Sequence, residues 1–159
     1  MAVDIQTGFT PQQRGELAAG LTKLLADTYA LYLKTHGYHW NVRGANFSTL
    51  HALFMEQYTE MWQALDELAE RIRALGEFAP QGYAAFANLT GIRDGDPEKS
   101  ADRMVEELMR DHETVIATAR AVLRESQEDA DPVTEGLIAD RLTAHEKHAW
   151  MLRATLGGK

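Results

Sequence analysis

The 159-residue chain contains no cysteine. Disulfides, thiolate nucleophiles and zinc–thiolate sites are therefore excluded, which leaves histidines and carboxylates as the strong metal ligands. There is no run of about eighteen apolar residues and no charged-then-apolar leader, so the sequence indicates neither a membrane span nor secretion. We therefore expect a cytoplasmic protein.

Positive charge is scarce, above all near the N-terminus. Residues 1–13 contain no Lys or Arg, Arg14 and Lys23 are isolated, and only Lys159 follows Arg153 at the other end. The net charge is −8 at pH 7, which repels nucleic acid on average and attracts cations. Coating of DNA by terminal arms needs several clustered cations to neutralise phosphates, so this composition disfavours it.

Apolar residues at spacings of three and four predict four long helices. The predicted spans are Thr10-Pro11 to about His36, Phe47–Leu75, Asp96-Pro97 to about Arg124, and Pro132 to about Thr155. Thr10 and Gln13 have the spacing of a capping box, and Gly76 is placed as a C-cap glycine. Gly37 and the Asn/Gly-rich residues 41–46 are expected to interrupt the pattern between the first two helices.

The connection across residues 77–95 holds both turn-forming and apolar residues, which predicts a short helix packed on the body. A short first connection and a long middle one indicate an all-α, ferritin-like four-helix bundle. We predict a single domain over residues 1–159, with a flexible N-terminal arm at 1–9 and a short tail at 157–159.

Two histidines and two carboxylates form the candidate metal site. Asp66 and Glu70 are four residues apart, so they project from one face of the second helix, and imidazole with carboxylate suits iron. His51 and Asp66 lie about 22 Å apart along a helix and cannot share an ion within one chain. If two copies pair antiparallel about a two-fold axis near residues 58 and 59, His51 of one chain meets Asp66 and Glu70 of the other, and symmetry makes two such sites.

Several short segments share residues and spacing with one known family. They are His39-Trp40-Asn41, His51 eleven residues after Trp40, Asp66-x-x-x-Glu70, AERIRALG at 69–76 and HEKHAWMLR at 145–153. In these segments, which together span most of the chain, the sequence resembles the Dps family of mini-ferritins.

The resemblance implies a homo-oligomer, a hollow dodecamer, with ferroxidase sites at its two-fold interfaces. These sites oxidise Fe(II) with hydrogen peroxide or oxygen, and ferric mineral is stored inside. By the same resemblance, His39 and His51 come from one subunit, and Asp66 and Glu70 from its partner. Trp40 would supply an electron or quench a radical, although an aromatic residue at a helix end is more often a packing residue.

Met55 departs from the family pattern, which usually has Asp four residues after the second histidine. A thioether is a poor ligand for hard iron, and the neighbouring Glu56 points about 100° away on a helix. We expect the iron position that uses both carboxylates and the partner's His39 to be tight. The second position, left with His51, should be weaker.

Other histidines and acids carry weaker signals. His36-x-x-His39 and His145-x-x-His148 each place two imidazoles on one helical face, and for His145 and His148 a surface position without metal is favoured. No histidine has Glu three residues before it, which disfavours the intrachain diiron design of ferritin-like bundles.

An acidic stretch follows the third long helix. It consists of Glu125, Glu128, Asp129, Asp131 and Glu135. It is either a solvated helix junction or, by the family resemblance, the lining of three-fold pores for iron entry. Two rival functions stay open: a DNA-binding, nucleoid-associated protein in which iron oxidation is secondary, and a structural bundle without metal.

Overall fold

The structure, a computed structural model, describes residues 4–158. Its helices are α1 (Pro11–Asn41), α2 (Phe47–Ala74), α3 (Tyr83–Leu89), α4 (Ala101–Glu128) and α5 (Pro132–Thr155). α1 packs on α2, α4 packs on α5, and α1 also contacts α4, while α3 lies against α1 in the crossover. The predicted all-α four-helix bundle with a short crossover helix is confirmed. Among the helices of residues 4–158, none combines the length and the apolar character that a membrane span requires.

The start of α1 follows the local chemistry of its sequence. The backbone N–H of Gln13 donates to the Thr10 hydroxyl (3.2 Å), and the Gln13 side-chain oxygen accepts from the Thr10 N–H (2.9 Å). The predicted capping box is therefore present. The predicted interruption at Gly37 is wrong, because α1 continues to Asn41. A glycine inside a helix costs only about 1 kcal/mol relative to alanine, and burial of Tyr38 and His39 just beyond it outweighs that.

Gly76 ends α2 as predicted. Its φ of 99° lies in the left-handed region, which glycine adopts without a steric penalty. The N–H of Glu77 donates to the carbonyl of Ile72 (3.3 Å), and the N–H of Gly76 donates to that of Arg73 (3.0 Å). These two bonds are the Schellman pattern that satisfies the last carbonyls of a helix.

The prediction that α4 starts at Asp96-Pro97 is wrong. The Asp96 side chain instead caps a turn by accepting from the N–H of Glu98 (2.9 Å), and its backbone N–H donates to the hydroxyl of Tyr38 on α1 (3.3 Å). This tertiary contact holds the segment against α1. The helix begins after Ser100, whose hydroxyl accepts from the N–H of Arg103.

Apolar side chains from the four long helices form one continuous core. Its fully buried members include Leu17, Leu21, Leu24, Phe54, Met61, Leu68, Met104, Leu108, Val115, Ile138 and Leu152. Large apolar side chains also stay exposed on the outer side of the α1–α2 pair. This α1–α2 face consists of Leu33, Trp40, Phe47, Met55 and Trp62.

Candidate metal site

His39 and His51 form a closely coupled pair where α1 ends and α2 begins. Their rings stack at 3.7 Å between centroids and 19° between planes. The His39 Nδ1 lies 2.7 Å from the backbone oxygen of His51, and the His51 Nδ1 lies 2.8 Å from that of His39. Because a carbonyl oxygen only accepts, each Nδ1 carries the proton that it donates. Each Nε2 of the neutral ring then keeps its lone pair, as a metal-ligating imidazole requires.

A tight connection brings the two histidines together. Gly44 adopts a φ of 119°, and the N–H of Phe47 donates to the Gly44 carbonyl (3.1 Å). The chain reverses within residues 42–46, so that α2 runs back along α1. The Asn/Gly-rich sequence predicts this break but not the reciprocal hydrogen bonds across it.

The predicted carboxylates lie elsewhere on the chain surface. Asp66 and Glu70 are exposed on α2, at helical spacing from His51 through Met55, Tyr58 and Trp62 along one stripe. Within residues 4–158 of a single chain, no three His, Asp or Glu side chains meet in a way that could hold a metal ion. The two predicted pairs of ligands are therefore separate on the chain. We call them the histidine half-site (His39 and His51) and the carboxylate half-site (Asp66 and Glu70).

A group of aromatic side chains in mutual contact lies between the histidine half-site and the carboxylate half-site. The His36 ring stacks on Tyr58 (4.0 Å, 19°) and contacts Trp40 (4.2 Å). The Tyr32 hydroxyl lies 3.3 Å from the His36 Nδ1 and the Tyr32 ring 5.4 Å from Trp62. Desolvation, and then the neighbouring His39, lower the pKa of His36, which favours a neutral imidazole. Trp40 is 66% exposed and contacts His36, so it belongs to this aromatic group.

Three more histidines lie inside the bundle. His112, His145 and His148 are buried, and the Nδ1 atoms of His112 and His145 are 2.9 Å apart. The predicted surface position of His145 and His148 is therefore wrong. The signal that was missed is the apolar stripe of α5, because His145 falls in register with Ile138 and Leu142.

The buried histidines lie beside an ion pair. Glu60 accepts two hydrogen bonds from Arg141 (2.5 and 2.8 Å) and lies 3.4 Å from His148. Burial opposes ionisation of Glu60, but the hydrogen bonds from His148 and Arg141 outweigh it and lower the pKa of the carboxyl to about 2. Desolvation holds the pKa of His112 and that of His145 well below the usual range. These two imidazoles are therefore neutral at pH 7.

Two residues of the acidic stretch, Asp129 and Asp131, take part in contacts that stabilise the fold. Asp131 is 1% exposed and pairs with Arg71 at 2.7 Å, and it caps α5 by accepting from the N–H groups of Val133 and Thr134. Asp129 accepts from Gln13 at 2.9 Å. Asp131 is therefore not available to line a channel.

Comparisons with known proteins agree with this architecture. A family model described as a ferritin-like domain matches residues 18–158. Over 136 residues the chain is 38% identical to "DNA protection during starvation protein 2" of Bacillus anthracis, which covers 86% of this chain and 93% of the relative. It is 36% identical over 141 residues to "DNA protection during starvation protein" of Brevibacillus brevis, covering 88% and 94%.

Solved structures also match the chain over nearly its whole length. A Dps protein from Vibrio cholerae O1, described as a member of a broad superfamily of ferritin-like diiron-carboxylate proteins, superposes with a TM-score of 0.92 at 31% identity, covering 98% of this chain and 99% of that chain. A Dps protein from Bacillus brevis gives a TM-score of 0.88 at 32% identity, covering 93% and 99%. With its fold and its sequence in agreement with these proteins, the chain belongs to the Dps family of ferritin-like proteins.

Proposed function

We propose that this protein is a cytoplasmic mini-ferritin that oxidises Fe(II) at sites shared between subunits and stores ferric mineral in a hollow dodecamer. The observation that carries the proposal is the pair of reciprocal hydrogen bonds between His39 and His51. They present two Nε2 lone pairs, and within residues 4–158 of the same chain no further His, Asp or Glu joins them in a group that could hold a metal. The missing ligands are two carboxylates, and the carboxylate half-site offers two on an exposed helix face.

A two-fold axis joins the half-sites. With His51 and Asp66 about 22 Å apart on α2, antiparallel pairing of two α2 helices brings His39 and His51 to Asp66 and Glu70 of the partner subunit, and symmetry makes two such sites. The exposed α1–α2 face supports this pairing. It leaves four large apolar side chains besides Met55 on the surface, and apolar patches of this kind mark interfaces between proteins.

The residues have distinct roles in the reaction. Asp66 and Glu70 supply negative charge that stabilises Fe(III) relative to Fe(II), and His39 and His51 supply neutral nitrogen ligands. Each Fe(II) loses one electron, and two such electrons with two protons reduce one hydrogen peroxide to two waters; oxygen serves as the alternative acceptor. To Trp40, which contacts His36, we assign the role of supplying an electron or quenching a radical.

Two measurements on the purified protein test this function. Analytical ultracentrifugation should show a closed dodecamer, and Fe(II) added with hydrogen peroxide should give the absorbance of ferric oxide in soluble protein. A species of monomer mass at micromolar concentration would remove the shared site. Iron oxidation no faster than in buffer would remove the ferroxidase function.

DNA coating is the rival function, and the names of the Bacillus and Brevibacillus relatives refer to DNA protection. Residues 1–13 lack Lys and Arg, and binding to phosphates grows with the number of clustered cations. A gel-shift assay at low salt separates the two functions. We expect no stable complex with duplex DNA.

A further inference from the structure

Polar side chains form a layer across the interior of the bundle. Gln57 on α2, His112 on α4 and His145 on α5 are each 0% exposed. His148 and Arg141, also on α5, are buried as well, and the ring centre of His148 lies 5.3 Å from that of His112. We call these five side chains the polar layer. The proposed function uses none of them.

Gln57 lies at the level of His145. α2 and α5 run antiparallel, because the end of α2 is paired with the start of α5, whereas Glu60 binds Arg141 farther along α5. Gln57 comes three residues before Glu60, and His145 comes four residues after Arg141, which is about one helical turn in each case. The fully buried amide and the fully buried imidazole therefore belong to the same level of the core.

Several polar atoms of this layer lack a protein partner. Within residues 4–158, no hydrogen bond reaches six of its buried atoms, which are Gln57 Oε1 and Nε2, His112 Nε2, His145 Nε2, His148 Nδ1 and Arg141 Nε. A buried polar group without a partner gives up the hydrogen bonds that it makes to water in the unfolded chain. Such groups are few in folded proteins, so their concentration in one layer indicates a ligand that binds them.

The hydrogen bond between His112 and His145 determines which kind of ligand fits. Their Nδ1 atoms are 2.9 Å apart, so one Nδ1 donates a proton and the other accepts it. Desolvation lowers the pKa of both imidazoles, which keeps the rings neutral at pH 7. The ring that donates from Nδ1 therefore has a lone pair on Nε2, and the other ring has a proton on Nε2. The Gln57 amide likewise offers both donors and an acceptor.

A ligand for this mixture must both donate and accept hydrogen bonds. A metal cation requires a lone pair from every ligand, and an anion requires a donor from every partner. Water does both, and a buried water typically makes about three hydrogen bonds to otherwise unsatisfied polar groups.

We infer that the polar layer binds internal water, which joins the Gln57 amide to the Nε2 atoms of His112 and His145. The water connects α2 to α4 and α5 across the core, and a buried polar network whose members are all satisfied holds its elements in one arrangement. This inference does not depend on the proposed ferroxidase function.

Crystal structures of the metal-free assembly, at a resolution that shows ordered solvent, test the inference directly. The wild type should show a density peak in every subunit within about 2.7–3.2 Å of the Gln57 amide and of a second atom of the polar layer. Gln57→Met keeps the length of the side chain but removes both polar atoms, so the peak should disappear while the hydrogen bond between His112 and His145 persists. Gln63→Met makes the same exchange at an exposed position of α2 and should retain the peak.

Urea unfolding at one protein concentration provides a second measurement. With water bound, Gln57→Met leaves the imidazoles with fewer partners and should lower the unfolding midpoint below that of Gln63→Met. Without water, Gln57→Met removes a buried unsatisfied amide, which should raise the midpoint.

Two results would overturn the inference: wild-type density without a peak beside Gln57, and a midpoint for Gln57→Met at or above that of Gln63→Met. Crystals grown with Zn(II) identify a cation instead, because an anomalous signal in the polar layer would mean that the imidazoles bind metal and that the water assignment is wrong. If Gln57→Met does not assemble, the wild-type density alone decides. Iron oxidation at the shared sites is unaffected by any of these outcomes.

Discussion

His39 and His51 each donate the Nδ1 proton to the backbone oxygen of the other, at 2.7 and 2.8 Å. The two bonds fix the tautomer of both rings and join the end of α1 to the start of α2. We therefore predict that ¹⁵N NMR of the metal-free protein shows both imidazoles protonated at Nδ1, and that Zn(II) shifts the Nε2 resonances alone. Rings protonated at Nε2 would contradict the ligand assignment.

We expect the carboxylate half-site to contribute to chemistry rather than to folding. Asp66 and Glu70 are exposed, and the Asp66→Ala/Glu70→Ala variant should keep its unfolding midpoint while losing rapid Fe(II) oxidation in stopped-flow absorbance. His51→Ala alone should slow oxidation less, because His39 and the carboxylates still hold one iron position. Oxidation by the double variant at the wild-type rate would show that the half-site is misassigned.

Asp131 should be one of the most sensitive polar positions for stability. It caps α5 and binds Arg71 while almost fully buried. Loss of a cap costs about 1 kcal/mol, and an unpaired buried charge costs about 3 kcal/mol. Asp131→Ala should therefore lower the free energy of unfolding by about 4 kcal/mol in urea denaturation. Asp131→Asn keeps the cap acceptor and should cost less, whereas equal losses in the two variants would mean that the cap contributes nothing, and no loss in Asp131→Asn would mean that the ion pair contributes nothing.

Acidification should destabilise the bundle through its buried histidines. The pKa values of His112 and His145 are lowered in the fold by desolvation, whereas the unfolded chain takes up these protons near pH 6.5. Stability is therefore full above pH 6.5 and falls below it, by up to about 1.4 kcal/mol per pH unit for each histidine. The facing groups do not offset this change, because Glu60 is already bound by Arg141 and stays ionised.

Urea unfolding of the metal-free protein between pH 8 and pH 5, at one protein concentration, measures this dependence. His145→Gln should give a shallower decline, because it removes one of the two fully buried imidazoles whose pKa is lowered. His36, whose pKa is also lowered, is present in both proteins, so its contribution is the same in both pH profiles. A pH profile that is unchanged by His145→Gln would show that buried His145 does not control acid stability.

Local sequence signals predicted the helix ends whose chemistry is local. Thr10 with Gln13, and Gly76, each satisfy backbone groups within a few residues. The failures at Gly37 and Asp96 have tertiary causes, since burial of the residues after Gly37 continues α1 and the Tyr38 hydroxyl holds Asp96.

The candidate site was predictable in its residue types but not in its contacts. The spacing of Asp66 and Glu70 indicates one helix face, and the distance to His51 indicates two half-sites. The reciprocal bonds between His39 and His51 depend on how a five-residue connection folds, which spacing does not encode. Burial of His145 and His148 was missed because a pair of histidines one turn apart has the same spacing on the surface as in a core.

The central claim is that each site takes its histidines from one chain and its carboxylates from another. Co-assembly of a His39→Ala/His51→Ala variant with an Asp66→Ala/Glu70→Ala variant tests it directly. Each mixed two-fold pair contains one complete site and one empty site, so random mixing should restore about a quarter of the wild-type number of sites and a corresponding part of the Fe(II) oxidation rate. Each variant alone should be inactive. If the mixture stays as inactive as its components while forming mixed assemblies, the site is not shared between subunits.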